Sequence, residues 1–304
     1  MTSKVFITGG SGLLALNWAI AIRDSHNVTL GLHKQAVKIH GVNTQKIDLD
    51  SVEHLAQVFD ESGTNIVLHT AGYTNIEACE ASPSRAWHIN VNLANNVAEA
   101  CAKLRLPLIH ISTDHLYAGH EPMLDEFCVL KPLNVYGKTK AEAEVLVLES
   151  HPDSLVIRTN FFGWGSSYRQ SFSDMIISSL RSGKELKLFT DVYYTPILAE
   201  TLASAVHDLV KLKASGVVNV VGGERISKYN FGIDIARVFG LDAGLIKPSL
   251  LSDNVGLVKR PIEMSLSNQK ACQLLGRELG NVTDGIIRLY QQEQIGQARE
   301  IGIL

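Results

Sequence analysis

Residues 5–15 read VFITGGSGLLA, and this stretch decides how the chain begins to fold. An apolar, strand-like run at residues 5–8 leads through a glycine turn into a helical pattern that starts at Leu13. A side chain in such a turn would block the approach of a diphosphate to the N–H groups at the helix N-terminus, which accounts for Gly9 and Gly12. The small Ala15 lets the helix pack closely on the strand. Glycine turns are common, but this position, after an N-terminal strand and before a helix, is typical of dinucleotide-binding loops.

The predicted loop contacts for a dinucleotide are Gly9, Ser11, Gly12, Leu13 and Leu14. Outward from this loop, strand-like runs alternate with helical patterns. The predicted strands are residues 5–8, 28–32, 46–48, 66–69, 108–112, 155–158 and 217–221. The predicted helices are residues 13–23, 52–62, 82–104, 132–149, 172–180, 198–212 and 227–239. The second helix is predicted to begin with a capping box of Asp50 and Glu53, the third with Ser82 as N-cap, and the fourth at Pro132.

Strands that alternate with helices predict an α/β fold with a doubly wound parallel sheet of the Rossmann type. We expect residues 1–160 to form the dinucleotide-binding domain, completed by a piece of chain at about 190–222. Residues 161–304 should form mainly a smaller C-terminal substrate lobe.

The composition narrows the function classes. A net charge of −3 gives no basic field for nucleic acid or for anionic lipid, so neither partner is expected. The four cysteines form no C-x-x-C pair, which favours a reducing compartment and argues against a zinc or disulfide framework. The N-terminus lacks the pattern of a signal peptide, and the longest apolar stretch is too short to span a bilayer. We therefore expect a cytoplasmic protein.

Cofactor preference should be readable after the second strand, where an acidic residue would bind the ribose 2′-hydroxyl of NAD. The sequence has His33 and Lys34 there instead, and these side chains could neutralise a 2′-phosphate. This favours NADPH and leaves NADH open, because the same pair also fits a solvated loop. Asp48 and Leu49 follow the third strand and are candidate adenine contacts, although Asp48 also fits a helix entry.

Tyr136 and Lys140 are four residues apart and share one face of the fourth predicted helix. Reduction of a ketone needs a proton donor at oxygen as hydride reaches carbon. Tyrosine serves when a nearby ammonium and a positive nicotinamide ring stabilise its phenolate. Lys140 can also hold the nicotinamide ribose. A half-buried tyrosine and an exposed lysine on an ordinary helix would give the same spacing.

Two strand ends strengthen the catalytic interpretation. Hydroxyls of Ser112 and Thr113 follow the strand at residues 108–112, and ligands of open α/β sheets sit at that edge. Thr113 can hydrogen-bond a substrate carbonyl. Small residues at 70–72, Thr-Ala-Gly, follow the preceding strand and suit the floor of a cofactor site.

Together these motifs resemble an extended short-chain dehydrogenase/reductase. Longer strings resemble the dTDP-4-dehydrorhamnose reductase group over nearly the whole chain. These strings are TAGYTNIEACE at 70–80, ISTDHLY at 111–117, KPLNVYGKTKAEAE at 131–144, RTNFFGWG at 158–165, LFTDVYYTPILAETLA at 188–203 and VKRPIEMSLSN at 258–268.

The resemblance implies roles for individual residues. Tyr136 would be the general acid and Lys140 its partner, Thr113 would orient the carbonyl, and Asp114 would help to position the substrate. Asn90 matches a helix asparagine that bridges to the lysine through water. Further implied cofactor contacts are Thr70, Ala71, Gly72, Thr74, Ser112, Tyr136, Lys140, Asn160 and Phe161. Implied contacts with the nucleotide sugar are Thr74, Thr113, Asp114, Asn160, Phe161, Thr195, Pro196 and Arg260. Arg260 suits a diphosphate because a guanidinium binds phosphate through two parallel hydrogen bonds.

The implied activity is NADPH-dependent reduction of the 4-keto group of a nucleotide-linked 6-deoxy sugar. The alternatives are an epimerase or epimerase/reductase of the same superfamily, or a non-catalytic NADP-binding regulatory subunit. Some group members hold Mg²⁺ between subunits with a glutamate where this chain has Asn17, so no metal site is expected and a homodimer stays open. Tyr193 and Tyr194 are bulkier than the pattern suggests and point to a different sugar.

Overall fold

A computed structural model describes residues 2–254 and 256–304. Thirteen strands occur in this described part of the chain, and seven of them form one parallel sheet. The strands are β1 Lys4–Thr8, β2 Asn27–Leu32, β3 Asn43–Lys46, β4 Ile66–His69, β5 Leu108–Ile111, β6 Leu155–Arg158, β7 Phe161–Phe162, β8 Leu186–Phe189, β9 Tyr193–Tyr194, β10 Ile197–Leu198, β11 Gly216–Asn219, β12 Ile226–Ser227 and β13 Ile246–Ser249. The sheet order is β11-β6-β5-β4-β1-β2-β3. The predicted doubly wound Rossmann-type fold is confirmed.

Helices cover both faces of this sheet. They are α1 Leu13–Ile22, α2 Val52–Glu61, α3 Ile76–Ala81, α4 Pro83–Trp87, α5 Leu93–Leu104, α6 Val135–Ser150, α7 Phe172–Arg181, α8 Ala199–Lys211, α9 Lys228–Phe239, α10 Gln269–Leu275, α11 Val282–Gln294 and α12 Gln297–Gly302. One face is covered by α1 packed against α8, and the other by α5 between α2 and α6. Each face buries its own apolar cluster, so the central strands are inaccessible to water on both sides.

The strand order reverses between β1 and β4, which are neighbours in the sheet although they are not consecutive in the chain. Chain segments that leave the carboxyl ends of these two strands go to opposite faces, and a crevice opens between them. The glycine loop follows β1 and the small residues 70–72 follow β4, so both line this crevice. The catalytic candidates after β5 and at the start of α6 lie beside it.

Several predicted boundaries were wrong. The third strand ends at Lys46 rather than covering 46–48. The side chain of Ser51, not of Asp50, accepts the capping hydrogen bond from the N–H of His54, so the predicted capping box does not form. Helix α6 begins three residues after Pro132, because the Asn134 side chain accepts from the N–H of Gly137 at 2.9 Å.

The third predicted helix, residues 82–104, is interrupted. Helix α4 is followed by one π-helical turn, His88–Asn92, before α5 begins. The Ser82 side chain makes no capping hydrogen bond. Single π turns occur often at functional sites, and this one carries Asn90 toward the start of α6.

The second half of the chain adds short two-stranded sheets, β7 with β10, β9 with β12 and β8 with β13. Strand β11, which falls within the 190–222 stretch, pairs with β6 in the central sheet. The division into lobes at residue 160 remains a proposal. Within the described ranges, every helix is too short or too polar to cross a membrane.

Candidate active site

The glycine loop makes a tight turn between β1 and α1. The N–H of Gly12 donates to the Gly9 carbonyl at 2.8 Å. Gly9 has a φ of +69°, and a Cβ there would lie 2.7 Å from the backbone of Ala71, so the loop after β4 presses directly on the turn. Gly12 is the N-cap of α1 and offers no side chain to its N–H groups. These groups are therefore free to bind an anion at the positive end of the helix.

A cavity of ≈ 270 Å³ opens at the carboxyl edge of the sheet. Its walls come from the glycine loop, the loop after β4, the ends of β5 and β6, the start of α6 and the loop after β7. The lining residues are Gly12, Leu13, Leu14, Thr70, Ala71, Gly72, Thr74, Ile76, Ile111, Ser112, Thr113, Asp114, His115, Tyr136, Lys140, Thr159, Asn160, Phe161 and Arg169. Most of the site residues predicted from the sequence meet here.

Tyr136 lies in the wall of this cavity with 9% of its surface exposed. Burial raises the pKa of Tyr136 to about 12, and the hydroxyl of Thr113 beside it acts in the opposite direction. The His115 ring packs edge-on against the Tyr136 ring with centroids 5.7 Å apart. The side chain is thus a neutral phenol at neutral pH, able to donate a proton into the cavity.

Lys140 lies one helical turn further on and is buried in the same wall. Its ammonium donates to the carbonyl of Ile111 at 2.7 Å and lies 3.3 Å from Nε2 of His110. Burial lowers the pKa of Lys140 to about 8, and the Glu144 carboxylate acts in the opposite direction. Two N–H groups of the ammonium therefore face residues of β5, and the third can point toward a ligand in the cavity.

Thr113 and Asp114 form a small hydrogen-bonded network at the end of β5. The Thr113 hydroxyl donates to Oδ1 of Asp114 at 3.2 Å and accepts from the N–H of His115 at 3.3 Å. The Asn160 amide donates to Oδ2 of Asp114 at 2.5 Å. Asp114 therefore fixes the orientation of Thr113 and joins the end of β5 to the segment after β6.

Two further hydroxyls in the cavity wall lack partners. Ser112 Oγ and Thr159 Oγ1 are buried and find no hydrogen-bond partner within residues 2–254 and 256–304. Buried hydroxyls normally have partners, so these two mark positions where a bound ligand can supply them. The resemblance implies contacts with nicotinamide and sugar at Thr159, as at Asn160 and Phe161, and these contacts remain a prediction.

The cofactor contacts predicted after β2 and β3 lie outside the cavity wall. His33 and Lys34 are exposed just beyond β2, the strand next to the glycine loop. Asp48 is exposed and its Oδ1 accepts from the N–H of Asp50 at 3.0 Å. The carbonyl of Leu49 accepts from the Asn96 amide at 2.9 Å, which ties this segment to α5. This edge lies where the adenosine half of a dinucleotide would extend from the glycine loop.

Thr195, Pro196 and Arg260 are not brought to the cavity wall. Thr195 is buried, and its hydroxyl bonds both the N–H and the carbonyl of Leu266. Pro196 packs its carbonyl against Gly222. Arg260 forms an ion pair with Glu77 and donates to the carbonyl of Val258. Their contact with a nucleotide sugar remains a prediction.

Asn90 and Asn17 hold parts of the frame together. The Asn90 amide donates to the Tyr73 carbonyl and to the Thr139 hydroxyl, and its oxygen accepts from the N–H of Tyr73. A water bridge from Asn90 to Lys140 remains a prediction.

The Asn17 amide donates to the carbonyls of Leu13 and Trp164, which joins α1 to the loop after β7. The described residues contain no cluster of three or more His, Cys, Asp or Glu that would suit a metal ion.

The sequence interpretation missed Arg169. Its guanidinium lines the cavity and donates to the hydroxyl of Thr74 at 2.6 Å. The adjacent Tyr168 donates to the carbonyl of Ser11 at 2.8 Å, so the 163–170 loop reaches across to the glycine loop. This loop follows no helical or strand period, so nothing in its spacing indicated that Arg169 reaches the site.

The site fits a nicotinamide dinucleotide. Gly12 presents no side chain at the N-terminus of α1, where a diphosphate would bind. Ser112 and Thr159 offer hydroxyls that have no partner among the described residues, and Lys140 has a hydrogen-bond donor to spare. The sheet, the glycine loop and the grouping of Thr113, Tyr136 and Lys140 define an extended short-chain dehydrogenase/reductase.

The chain belongs to the family described as the RmlD substrate binding domain, whose model matches residues 3–295. It is 28% identical over 252 residues to the probable low-salt glycan biosynthesis reductase Agl14 of Haloferax volcanii, covering 82% of this chain and 84% of that protein. It is 27% identical over 276 residues to the methionine adenosyltransferase 2 subunit beta of Mus musculus, covering 88% and 81%.

The fold has a close match among solved structures. The dTDP-4-dehydrorhamnose reductase of Bacillus anthracis, in complex with NADP, superimposes with a TM-score of 0.84 at 22% identity. The match covers 96% of this chain and 100% of the Bacillus anthracis chain. At this identity the likeness concerns the fold.

Proposed function

We propose that this protein reduces the 4-keto group of a nucleotide-linked 6-deoxy sugar with NADPH. The observation that carries the proposal is the meeting of Tyr136 and Thr113 in one cavity with a glycine loop whose helix N-terminus is open to a diphosphate. A proton donor, a carbonyl-orienting hydroxyl and a dinucleotide cradle are the parts that such a reduction needs.

The residues act on the ketone oxygen. Bound NADPH supplies hydride to carbon C4 of the sugar. When substrate binds, the Thr113 hydroxyl turns its one proton from Oδ1 of Asp114 to the carbonyl oxygen and fixes that oxygen beside Tyr136. The Tyr136 phenol then gives its proton to the oxygen as negative charge develops there. Because the pKa of Tyr136 is about 12 in the protein, the phenol is protonated and ready at neutral pH.

Lys140 carries a positive charge on the same face of α6 as Tyr136. Its ammonium lies one turn away and is held at the carbonyl of Ile111. There it can bind the ribose hydroxyls of the nicotinamide half and stabilise the phenolate that remains after proton transfer. Deprotonation of Lys140 removes both effects.

The names of the relatives agree with this reaction class. Agl14 is named as a glycan biosynthesis reductase, and the Bacillus anthracis enzyme of the same fold is a dTDP-4-dehydrorhamnose reductase solved with NADP. We place the reaction in cytoplasmic deoxysugar or polysaccharide biosynthesis, with the base of the nucleotide and the stereochemistry of the sugar open.

A non-catalytic role is the second candidate, since methionine adenosyltransferase 2 subunit beta is a relative of similar identity. Thr113, Tyr136 and Lys140 are all present and buried around one cavity here. A purely regulatory subunit does not require that set, which favours catalysis.

Turnover on keto sugars decides between the two. Purified protein should oxidise NADPH when given dTDP-4-keto-6-deoxy sugars, measured by the loss of NADPH absorbance. A panel of GDP-, UDP- and CDP-linked keto sugars extends the test to other bases. Failure on every member of the panel, with NADPH shown to bind, would contradict the reductase proposal and favour the regulatory one.

A further inference from the structure

We propose that His110 is a positioning residue for this reaction: its Nε2 accepts a hydrogen bond from the Lys140 ammonium and keeps that ammonium charged and aimed at the cofactor. The inference rests on the proposed function, because it assigns a partner to the lysine of that site. His110 lies on β5, two residues before Ser112 and outside the cavity wall.

The geometry makes His110 an acceptor rather than a donor. Its ring is fully buried, and burial, with the Lys140 charge as a lesser cause, lowers its pKa well below the usual range. A neutral imidazole has one nitrogen with a proton and one without. The nitrogen that faces Lys140 at 3.3 Å is Nε2, so the proton belongs on Nδ1.

The lysine has only two hydrogen-bond partners among the described residues, the carbonyl of Ile111 and this imidazole. An ammonium has three donors, so one remains for a ligand in the cavity. A buried charge costs several kcal/mol unless hydrogen bonds satisfy it. His110 therefore contributes one of the two protein acceptors that keep Lys140 charged.

Asn90 does not act as a hydrogen-bond acceptor for the Lys140 ammonium. All the hydrogen bonds of the Asn90 amide go to Tyr73 and Thr139, so its side chain serves the frame of α6. Thr139 in turn donates to the carbonyl of Tyr136. Asn90 thus fixes the helix that carries the tyrosine, while His110 contacts the lysine itself.

Other titratable groups around His110 have partners of their own. The His69 ring, on the neighbouring strand β4, stacks on the His110 ring with centroids 5.3 Å apart, and its Nδ1 is 2.7 Å from the Thr8 hydroxyl. Burial lowers the pKa of His69 to about 3, so it is neutral as well. On α6, Glu144 is paired with Arg158 of β6, at 2.6 Å. None of these groups replaces His110 as an acceptor for Lys140.

The test is the pH dependence of NADPH affinity, measured by nicotinamide fluorescence from about pH 7 to 9.5, a window that brackets the lysine transition. We expect affinity to fall as Lys140 loses its proton. In His110→Leu, the midpoint of that fall should move down by about one pH unit, because a hydrogen bond to the charged form is lost. In His110→Gln, the amide oxygen can accept the hydrogen bond from Lys140. The midpoint should therefore lie close to that of the wild type.

His69→Leu is the matched control. His69 is paired with His110 in the β4–β5 register and is equally buried, but it does not contact Lys140. Its replacement should leave the midpoint unchanged. Thermal unfolding of each variant checks that the fold is retained.

Two outcomes would overturn the proposal. One is a midpoint in His110→Leu equal to that of the wild type, and the other is an equal shift in His69→Leu. In the first case, a uniform loss of affinity at every pH would assign His110 a packing role only. NADPH binding is measured without substrate, so the role of His110 can be decided even if the protein reduces no keto sugar. Binding of NADPH without any reduction of keto sugars would contradict the proposed function alone.

Discussion

The guanidinium of Arg169 donates to the hydroxyl of Thr74 at 2.6 Å, and both residues line the cavity. Arg169 comes from the loop after β7 and Thr74 from the loop after β4. Arg260, which the sequence favoured for a diphosphate, is paired with Glu77 away from the cavity wall. Arg169 is therefore the arginine that lines the cavity, and we propose that it binds a phosphate of the nucleotide ligand.

We predict that Arg169→Ala weakens the binding of the nucleotide ligands by about tenfold or more, since a charged hydrogen bond to phosphate is lost. Titration of NADPH by fluorescence and the KM for the sugar nucleotide show which diphosphate is affected. Arg181→Ala is a control, because that arginine is paired with Glu293 in a surface ion pair. Unchanged binding of both ligands in Arg169→Ala would remove the residue from the site.

Tyr136→Phe tests the proton donor. The change removes one hydroxyl from a buried ring and leaves its packing against His115 in place. We expect kcat to fall by about a hundredfold or more, the usual contribution of a general acid, with NADPH affinity nearly unchanged. A variant with the kcat of the wild type would show that the proton comes from another group.

The alkaline limb of activity should belong to Lys140. Burial lowers the pKa of Lys140 to about 8 and raises the pKa of Tyr136 to about 12, so of these two groups the lysine loses its charge at the lower pH. Burial also lowers the pKa of Lys228 to about 8, which makes a variant of Lys140 itself necessary to assign the limb. Its ammonium is present below about pH 8, and kcat/KM should fall as the pH rises through that value. The pH profile of kcat/KM measures this directly.

Lys140→Arg provides the comparison, because a guanidinium keeps its charge throughout this range. Whatever activity it retains should lack the limb near pH 8. A limb that persists unchanged in Lys140→Arg would have to come from a different group.

His33 and Lys34 should set the preference for NADPH. Both are exposed beyond β2, where the 2′-phosphate of the cofactor would lie. The double change to alanine should raise the KM for NADPH by roughly tenfold and leave the KM for NADH alone. Lys38→Ala, an exposed lysine in the same segment, is the control. An equal loss for NADPH and NADH would mean that the pair does not contact the 2′-phosphate.

The buried pair of Glu144 and Arg158 should matter for stability. Both side chains are at least 95% buried, and the guanidinium also donates to the Tyr117 hydroxyl at 2.8 Å. Glu144→Ala leaves a buried charge without its partner and should lower the free energy of unfolding by ~3–5 kcal/mol, measured by denaturant titration.

The ion pair of Lys103 and Glu53 is the matched comparison. Its nitrogen and oxygen atoms are 2.9 Å apart, but both side chains are exposed to solvent. Glu53→Ala should lower the free energy of unfolding far less than Glu144→Ala does, because solvent screens an exposed ion pair. Similar losses for Glu144→Ala and Glu53→Ala would show that burial of the first pair has no consequence for stability.

The sequence predicts the fold well where one local rule dominates. The turn between β1 and α1 requires glycine, so Gly9 and Gly12 located both the strand and the helix. The start of α6 was misplaced because two signals compete there: Pro132 suits a first helical turn, but the Asn134 side chain caps the helix three residues later. Nothing in the spacing decides between them.

The site residues also fall into those that the sequence predicts and those that it does not. Tyr136, Lys140 and Thr113 lie on regular elements, where position in the sequence fixes position in space. Arg169 reaches the cavity from an irregular loop, and His110 contacts Lys140 only because two strands and a helix pack together. Contacts of that kind depend on tertiary structure and leave no periodic pattern.

The most direct test of the proposed reaction follows the hydride. NADPH deuterated at the transferable C4 position is supplied with a dTDP-4-keto-6-deoxy sugar, and the product is examined by NMR and mass spectrometry. We predict one deuterium at C4 of the sugar for each NADPH consumed. A product without deuterium, formed with no net loss of NADPH, would contradict reduction and indicate epimerisation instead.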